Sequence, residues 1–342
     1  MHQPPSSLAV VPLAGKRGGG WVVAGALALG LTLPAQARAA GDEAPADPPI
    51  VRDQALVGTR IVRDQAPQDE TGAPVVVGDL DATFSAEARP DQNVVAVAPR
   101  AYLGIRPRPE VELHVTFGAV SIFRDGPQGR QQQARPGNLG FGASGVLDRR
   151  EGNWRYAKVG FSFVLPTAFT TTPEEQEAYD YALAGRIGWD PWTWTPKTFG
   201  VVVPAELRAQ VSRRWVIGGD GGLAVLLPSA NRTDGLAIAA QVAGEARFVT
   251  RWMGLGVRMA ASWNGRHPDD RTQAGVSPFV DASLCRRSAG RRVQGERART
   301  SEACPVYALA RLNMNLDGPY GFTGADALGV WGVQLGLGWS VY

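Results

Sequence analysis

From about residue 80 to Tyr342, apolar side chains fall on every second position. In Leu236–Phe248 the even positions are Leu, Ile, Ala, Val, Gly, Ala and Phe, with Gln241, Glu245 and Arg247 between them. Met253–Trp263 places Met, Leu, Val, Met, Ala and Trp on one phase and Arg258 and Ser262 on the other. Val201–Val211, Val306–Leu316 and the closing stretch GVWGVQLGLGWSVY repeat the pattern, and Tyr179–Trp189 follows it around Asp180 and Arg186. Weaker versions cover 82–88, 94–106, 111–119, 139–148, 154–165, 215–227 and 275–285. A period of two puts successive side chains on opposite faces of a strand. Thirteen such segments, with no helix-period stretch between them, predict an all-β antiparallel chain.

Two architectures use two-faced strands. A sandwich buries the apolar faces inward, whereas a membrane barrel turns them to lipid and keeps the polar faces around a lumen. The segments run to about 10–13 residues, the length a tilted strand needs to cross a bilayer and roughly double that of an ordinary globular strand. Trp154, Tyr179, Trp189, Trp192, Trp194, Trp215, Trp252, Trp263 and Trp339 stand near segment ends, where rings favour a membrane–water boundary. The apolar phase is rich in Ala, Val and Gly, which suits lipid better than a packed core. The expectation is an up-and-down transmembrane β-barrel over residues 80–342. Short links at RPRPE, DRREGN, SRR and TR fix one end; the long loops 124–138, 166–177, 227–235, 264–274 and 317–329 fix the other. Strand parity changes within 165–200, so an irregular strand in WDPWTWTPKTF brings the count to 14; dropping 82–88 gives 12, the alternative.

These strands, the turn asymmetry, a basic then apolar N-terminal stretch from Lys16 to Ala39 that reads as an export signal, and a terminal strand ending on Tyr342 resemble Gram-negative outer-membrane β-barrel proteins of the porin kind. The resemblance covers residues 80–342 and is one of class, with no motif tying the chain to one transporter family. It implies outer-membrane lipid around the barrel and recognition of the last strand by the assembly machinery. Tyr342 stands one residue past the apolar phase of that strand.

The N-terminus sets the compartment. Lys16 and Arg17 precede the apolar run GGGWVVAGALALGLTL, and Ala37-Arg38-Ala39 fits a cleavage site, so residues 1–39 read as a signal peptide cut near Ala39. That segment carries three of the 35 basic residues and none of the 32 acids. The remainder is therefore neutral (35 − 3 = 32), and net charge lends nucleic-acid binding no support. Residues 40–79 read as a disordered Pro- and acid-rich periplasmic extension. Within its 41–75 stretch the hexapeptide IVRDQA occurs at Ile50–Ala55 and Ile61–Ala66, a linker duplication or a pair of motifs for a periplasmic partner. The two cysteines, Cys285 and Cys304, are expected to form a disulfide across an Arg-rich loop.

Candidate chemistry is sparse. GFGASG at 140–145 matches a dinucleotide fingerprint but lacks the following helix, and reads as small lumen-facing residues. His267 with Asp269 and Asp270 reads as a solvated loop; no cofactor or metal is expected. The lumen phase holds Arg100, Arg106, Lys158, Arg186, Arg208, Arg247, Arg258 and Arg311 against Glu112, Asp180, Glu206, Asp220, Glu245 and Asp281. His114 shares that phase with Glu112 and Thr116. The function expected is a channel for small solutes with a slight preference for anions. The alternatives are a closed barrel holding a partner and a barrel-borne lipid hydrolase or acyltransferase centred on His114, with no serine fixed by spacing; an enzyme is not the expectation.

Overall fold

Period-two alternation becomes one antiparallel sheet of thirteen strands. The computed structural model describes residues 74–88, 93–127, 129–149, 155–212, 214–229, 235–250, 253–266, 271–284, 306–317 and 331–341. The strands are β1 (Val75–Ala88), β2 (Asn93–Arg108), β3 (Val111–Gly126), β4 (Gly129–Pro136), β5 (Leu139–Arg149), β6 (Arg155–Leu165), β7 (Thr198–Gln210), β8 (Trp215–Pro228), β9 (Ala237–Val249), β10 (Met253–Asn264), β11 (Thr272–Ser283), β12 (Val306–Asn315) and β13 (Trp331–Val341). Apart from β4, each pairs with the next strand of the circle, and β1 closes it on β13 from Val76↔Val341 to Ala86↔Trp331. β3 pairs with β5 along Val111–Thr116 and with β4 along Ala119–Gly126, so β4 is a short flap outside a barrel of twelve strands.

Twelve is the alternative count, reached by a different route. The weak segment 82–88 is part of β1, which starts at Val75, inside the expected extension. Tyr179–Trp189, expected as a strand, is instead mostly helix, and no strand forms in WDPWTWTPKTF. The link from β6 to β7 carries α1 (Pro173–Gly185) and α2 (Pro191–Trp194). The residues signal this helix start: Thr172 is the N-cap, Pro173 occupies the first turn, and Glu174 and Glu175 meet the positive end of the helix. Glu175 N–H donates to Thr172 Oγ1 over 3.4 Å.

The apolar phase faces out. Leu80, Leu103, Leu207, Leu223, Leu255, Met259 and Leu337 are exposed, whereas Asp81, Glu112, Arg208, Asp220, Arg247 and Asp281 are buried. That is the inverse of a globular core and fits a hydrocarbon surround. No helix among the described residues is long and apolar enough to cross a membrane.

The link 166–197 turns into the lumen. Residues 181–195 are buried without a break. At this loop end the inward phase of the wall is itself apolar: Val94, Ala96, Ala98, Val120 and Ile122 pack with Ala178, Tyr179, Tyr181, Leu183 and Trp194. Trp192 docks on Val164, Val202, Ala224 and Leu226. Tyr179, Trp189, Trp192 and Trp194 therefore lie inside rather than in an interfacial belt, because each fills the gap between the inward segment and the wall. Of the other rings expected in that belt, Trp215 is exposed on the outer surface, and Trp263 and Trp339 are half-buried.

Met259 stands near the middle of β10 and is the most exposed apolar residue of that strand, at 62%. Met259→Arg is expected to lower folding stability in lipid vesicles by about 2–4 kcal/mol, measured by reversible urea unfolding. An effect below about 0.5 kcal/mol would place that face away from hydrocarbon.

Candidate functional site

The candidate site is the lumen beside and beneath the inward segment. Two networks of charge line it. Near the turn end, Glu112 accepts from Arg106 (2.8 Å), from Lys158 (2.6 Å) and from the Tyr102 hydroxyl. Lys158 also donates to Tyr102 Oη over 3.1 Å. Across the barrel, Arg208 joins Glu206 (2.8 Å) to Glu245, Arg258 meets Asp220 at 2.8 Å, and Arg247 meets Asp281. Arg311 lies 5.5 Å from the centre of the Phe279 ring. The pairing is the physical condition for burial: a charge withdrawn from water without a partner would cost several kcal/mol.

The inward segment is held by the same means. Arg186, which follows α1, bonds Asp81 at 2.7 Å and Thr83 at 3.1 Å. Arg100 reaches Asp190 at 3.0 Å and Asp81 at 3.9 Å. The Arg258 guanidinium lies 3.9 Å from the centre of the Trp189 ring. Helix α1 ends with carbonyls that lack helical partners, and the wall supplies donors. Gln273 and Asn315 donate to Ala184 O over 3.2 and 3.1 Å, and Asn313 donates to Gly185 O over 2.8 Å. Gly332 lets the backbone of β13 approach this turn, since a Cβ there would collide with the Gly185 carbonyl.

Asn138 clamps both ends of the segment. Its amide donates to Trp192 O (2.8 Å) and Thr195 O (2.7 Å), and its Oδ1 accepts from Ala168 N–H (2.9 Å). At the start of α1, Glu175 accepts from Thr171 N–H and from Arg135, while Arg124 meets Glu177 at 2.6 Å. The Thr171 N–H, and after it the Thr171 hydroxyl and Arg135, hold the Glu175 carboxyl below its ordinary range. Burial pushes Tyr179 up to about 12, so its hydroxyl stays neutral and donates to Pro136 O over 2.7 Å.

Of the residues expected to line the lumen, Arg100, Arg106, Glu112, His114, Lys158, Glu206, Arg208, Asp220, Glu245, Arg247, Arg258, Asp281 and Arg311 lie on wall strands with inward partners. Arg186 is interior but belongs to the segment rather than to a strand. Asp180 is on α1 and accepts from Gln176 within the same helix at 3.0 Å, so it is a helix-surface group rather than part of the wall. His114 has a serine partner after all. Its Nε2 lies 2.8 Å from Ser162 Oγ, and its ring stacks on Tyr102 with centroids 5.4 Å apart. Gly142 pairs with both His114 and Ser162 on its two sides, and a Cβ there would collide with the Phe161 carbonyl and with Ser162. That partnership spans three strands, which no local spacing encodes. Sequence reasoning also passed over Asp79, Asp81 and Asp190. With Glu112, Glu206, Asp220, Glu245 and Asp281 they set eight carboxylates against the eight cations named above. Cys285, Cys304 and the His267 loop lie outside the described residues, and no group of metal-binding side chains occurs among the described ones.

A closed barrel with lipid-facing apolar strands and a charged interior defines an outer-membrane β-barrel. No family model and no curated protein matches the chain in sequence. Solved structures match it in fold. An outer-membrane channel from Pseudomonas putida F1 is 10% identical over 81% of this chain and 98% of that one, with a TM-score of 0.52. The translocator domain of the autotransporter NalP from Neisseria meningitidis is 10% identical over 82% and 92%, with a TM-score of 0.40.

Two outcomes test the clamps. Asn138→Leu leaves buried backbone groups at Ala168, Trp192 and Thr195 without this partner, an expected loss of about 3 kcal/mol. Tryptic cleavage after Lys197 should accelerate accordingly, and unchanged cleavage would show that Asn138 is no clamp. A carboxyl with a depressed pKa stabilises the fold above its unfolded pKa and loses that contribution as pH falls through the folded value. Helix α1 should therefore hold at neutral pH and loosen only below the ordinary carboxylate range. Tryptophan fluorescence followed against pH should register this, and Glu175→Gln should weaken the transition, leaving the part due to Glu174, whose carboxyl is also held below its ordinary range by backbone and Thr172 hydrogen bonds.

Proposed function

We propose that the chain is a narrow channel of the Gram-negative outer membrane for small polar solutes, its short turns on the periplasmic side and its bore restricted by residues 166–197. One observation carries this reading. Beneath the inward segment the wall stops being apolar and becomes a surface of paired charges, hydroxyls and amides around two cavities of about 50 and 110 Å³. Such a surface serves water and polar solutes, and it gives a purely structural barrel no packing advantage. The fold likeness to an outer-membrane channel from Pseudomonas putida F1 agrees with it. The even balance of interior charge favours weak selectivity over the slight anion preference expected from the strands alone.

A hydrolytic reading has the Ser162–His114 contact in its favour. That pair faces the enclosed lumen, whereas a lipid substrate would meet the outer surface, so the channel reading accounts for more of the structure. A closed barrel that holds a partner has no comparable observation behind it.

Purified, folded protein in planar bilayers should give small, steady unitary currents. Replacing residues 168–196 with a short Gly-Ser linker should raise conductance several-fold and admit larger sugars in liposome swelling. Absence of current in both proteins would overturn the reading. Equal conductance would remove the segment from the restriction.

A further inference from the structure

We infer that the larger cavity is a binding subsite for a small neutral polyol, of the size of glycerol or erythritol. The inference rests on the channel reading and names the solute class for the same lumen. The cavity lies between the turn that leads into α2 and the wall formed by β1, β2, β3 and β5 to β9. Two of its lining groups are buried donors with no hydrogen-bond partner: Ser144 Oγ, on a residue 3% exposed, and Trp189 Nε1, on a residue 7% exposed. A buried donor without a partner loses about 1–3 kcal/mol relative to one that is satisfied, and both residues line this one cavity, from which a ligand oxygen would supply the missing acceptor.

The rest of the lining fits that ligand. Thr116, Ser144 and Ser162 each sit beside a glycine on an adjoining strand, at Gly140, Gly160 and Gly142, where a Cβ would fill the space around the hydroxyl. The glycine fingerprint GFGASG thus acts as a row of gaps that lets hydroxyl groups and His114 reach the cavity. Charge decides the class of ligand. The cavity's cations are paired, Arg100 through Nη2 with Asp190, its Nε buried without a partner, and Lys158 with Glu112. Asp220 and Glu206 are held by Arg258 and Arg208. An anion or a cation would have to displace a formed pair, whereas a neutral molecule with several hydroxyls adds hydrogen bonds without disturbing one. The volume of about 110 Å³ suits a molecule of a few carbon atoms.

Calorimetric titration of the folded full-length protein in detergent with erythritol should show saturable binding. Ser144→Ala and Trp189→Phe, which remove one donor each, should weaken it about fivefold; Thr116→Val gives a third variant if either fails to fold. Three outcomes overturn the inference: no saturable heat with wild-type protein, equal affinity in the folded variants, or acetate or phosphate displacing erythritol. Wild-type protein that conducts ions but binds no polyol refutes the subsite and leaves the channel reading intact. Wild-type protein that conducts nothing refutes the channel reading itself.

Discussion

A non-strand segment inside a barrel must have its backbone groups satisfied by side chains, because the wall's own N–H and C=O groups are already engaged in the sheet. Everything distinctive about this protein follows from how that demand is met. The end of α1 points its last carbonyls at β11 and β12, and Gln273, Asn313 and Asn315 answer them. The two ends of the segment converge on one amide side chain, Asn138. Asp190 N–H finds Gln241 Oε1 on β9 at 2.7 Å. Uncharged amides are well suited to this work. Each both donates and accepts, and none brings a charge that would need a further partner.

The charged pairs have a different role. A buried ion pair seldom adds much net stability, since desolvation offsets most of the attraction. Its effect is to make misplacement costly. Arg186 can sit only where Asp81 and Thr83 receive it, and Arg100 only where Asp190 does. The hydrophobic contacts of Trp192 and Trp194 supply attraction, and the pairs determine the depth and rotation at which the segment comes to rest. Gly332 and Gly118 carry the same information in steric form, because a side chain at either would meet the Gly185 carbonyl or the Trp194 ring.

The wall was legible because its signal is repeated and local. Alternation at Met253–Trp263 or in GVWGVQLGLGWSVY leaves little choice of period, and it separates Leu337 from its inward neighbours correctly. The segment was misread because its composition imitates alternation. Tyr179, Tyr181, Leu183 and Ile187 stand two or four apart, and the last turn of α1 is buried on all sides, so no polar face betrays the helical period there. Two signals were present. Thr172-Pro173-Glu174-Glu175 is a helix start, and the runs NVVAVA and AVSIF are apolar on both phases, which marks a strand covered on both sides. Read together, they locate the dock. The Ser162–His114 contact and the Asn138 clamp were beyond reach, since each depends on register across several strands.

The turn after α1 shows how tightly the segment is fitted. Ile187, Gly188 and Asp190 all have positive φ, at 56°, 61° and 55°. Glycine adopts that conformation freely, but a β-branched residue does so only against steric resistance. Ile187 is nonetheless buried, against Gly275 of β11. A strained turn persists when its surroundings over-determine it, and here the neighbours come from most of the circumference: β1, β9, β10, β11, β12, β13 and the link between β4 and β5. Withdrawing the segment would break contacts with all of these at once, so it behaves as part of the wall rather than as a swinging flap. On the channel reading, a solute must pass beside it, through the hydroxyl- and charge-lined space that the segment leaves open.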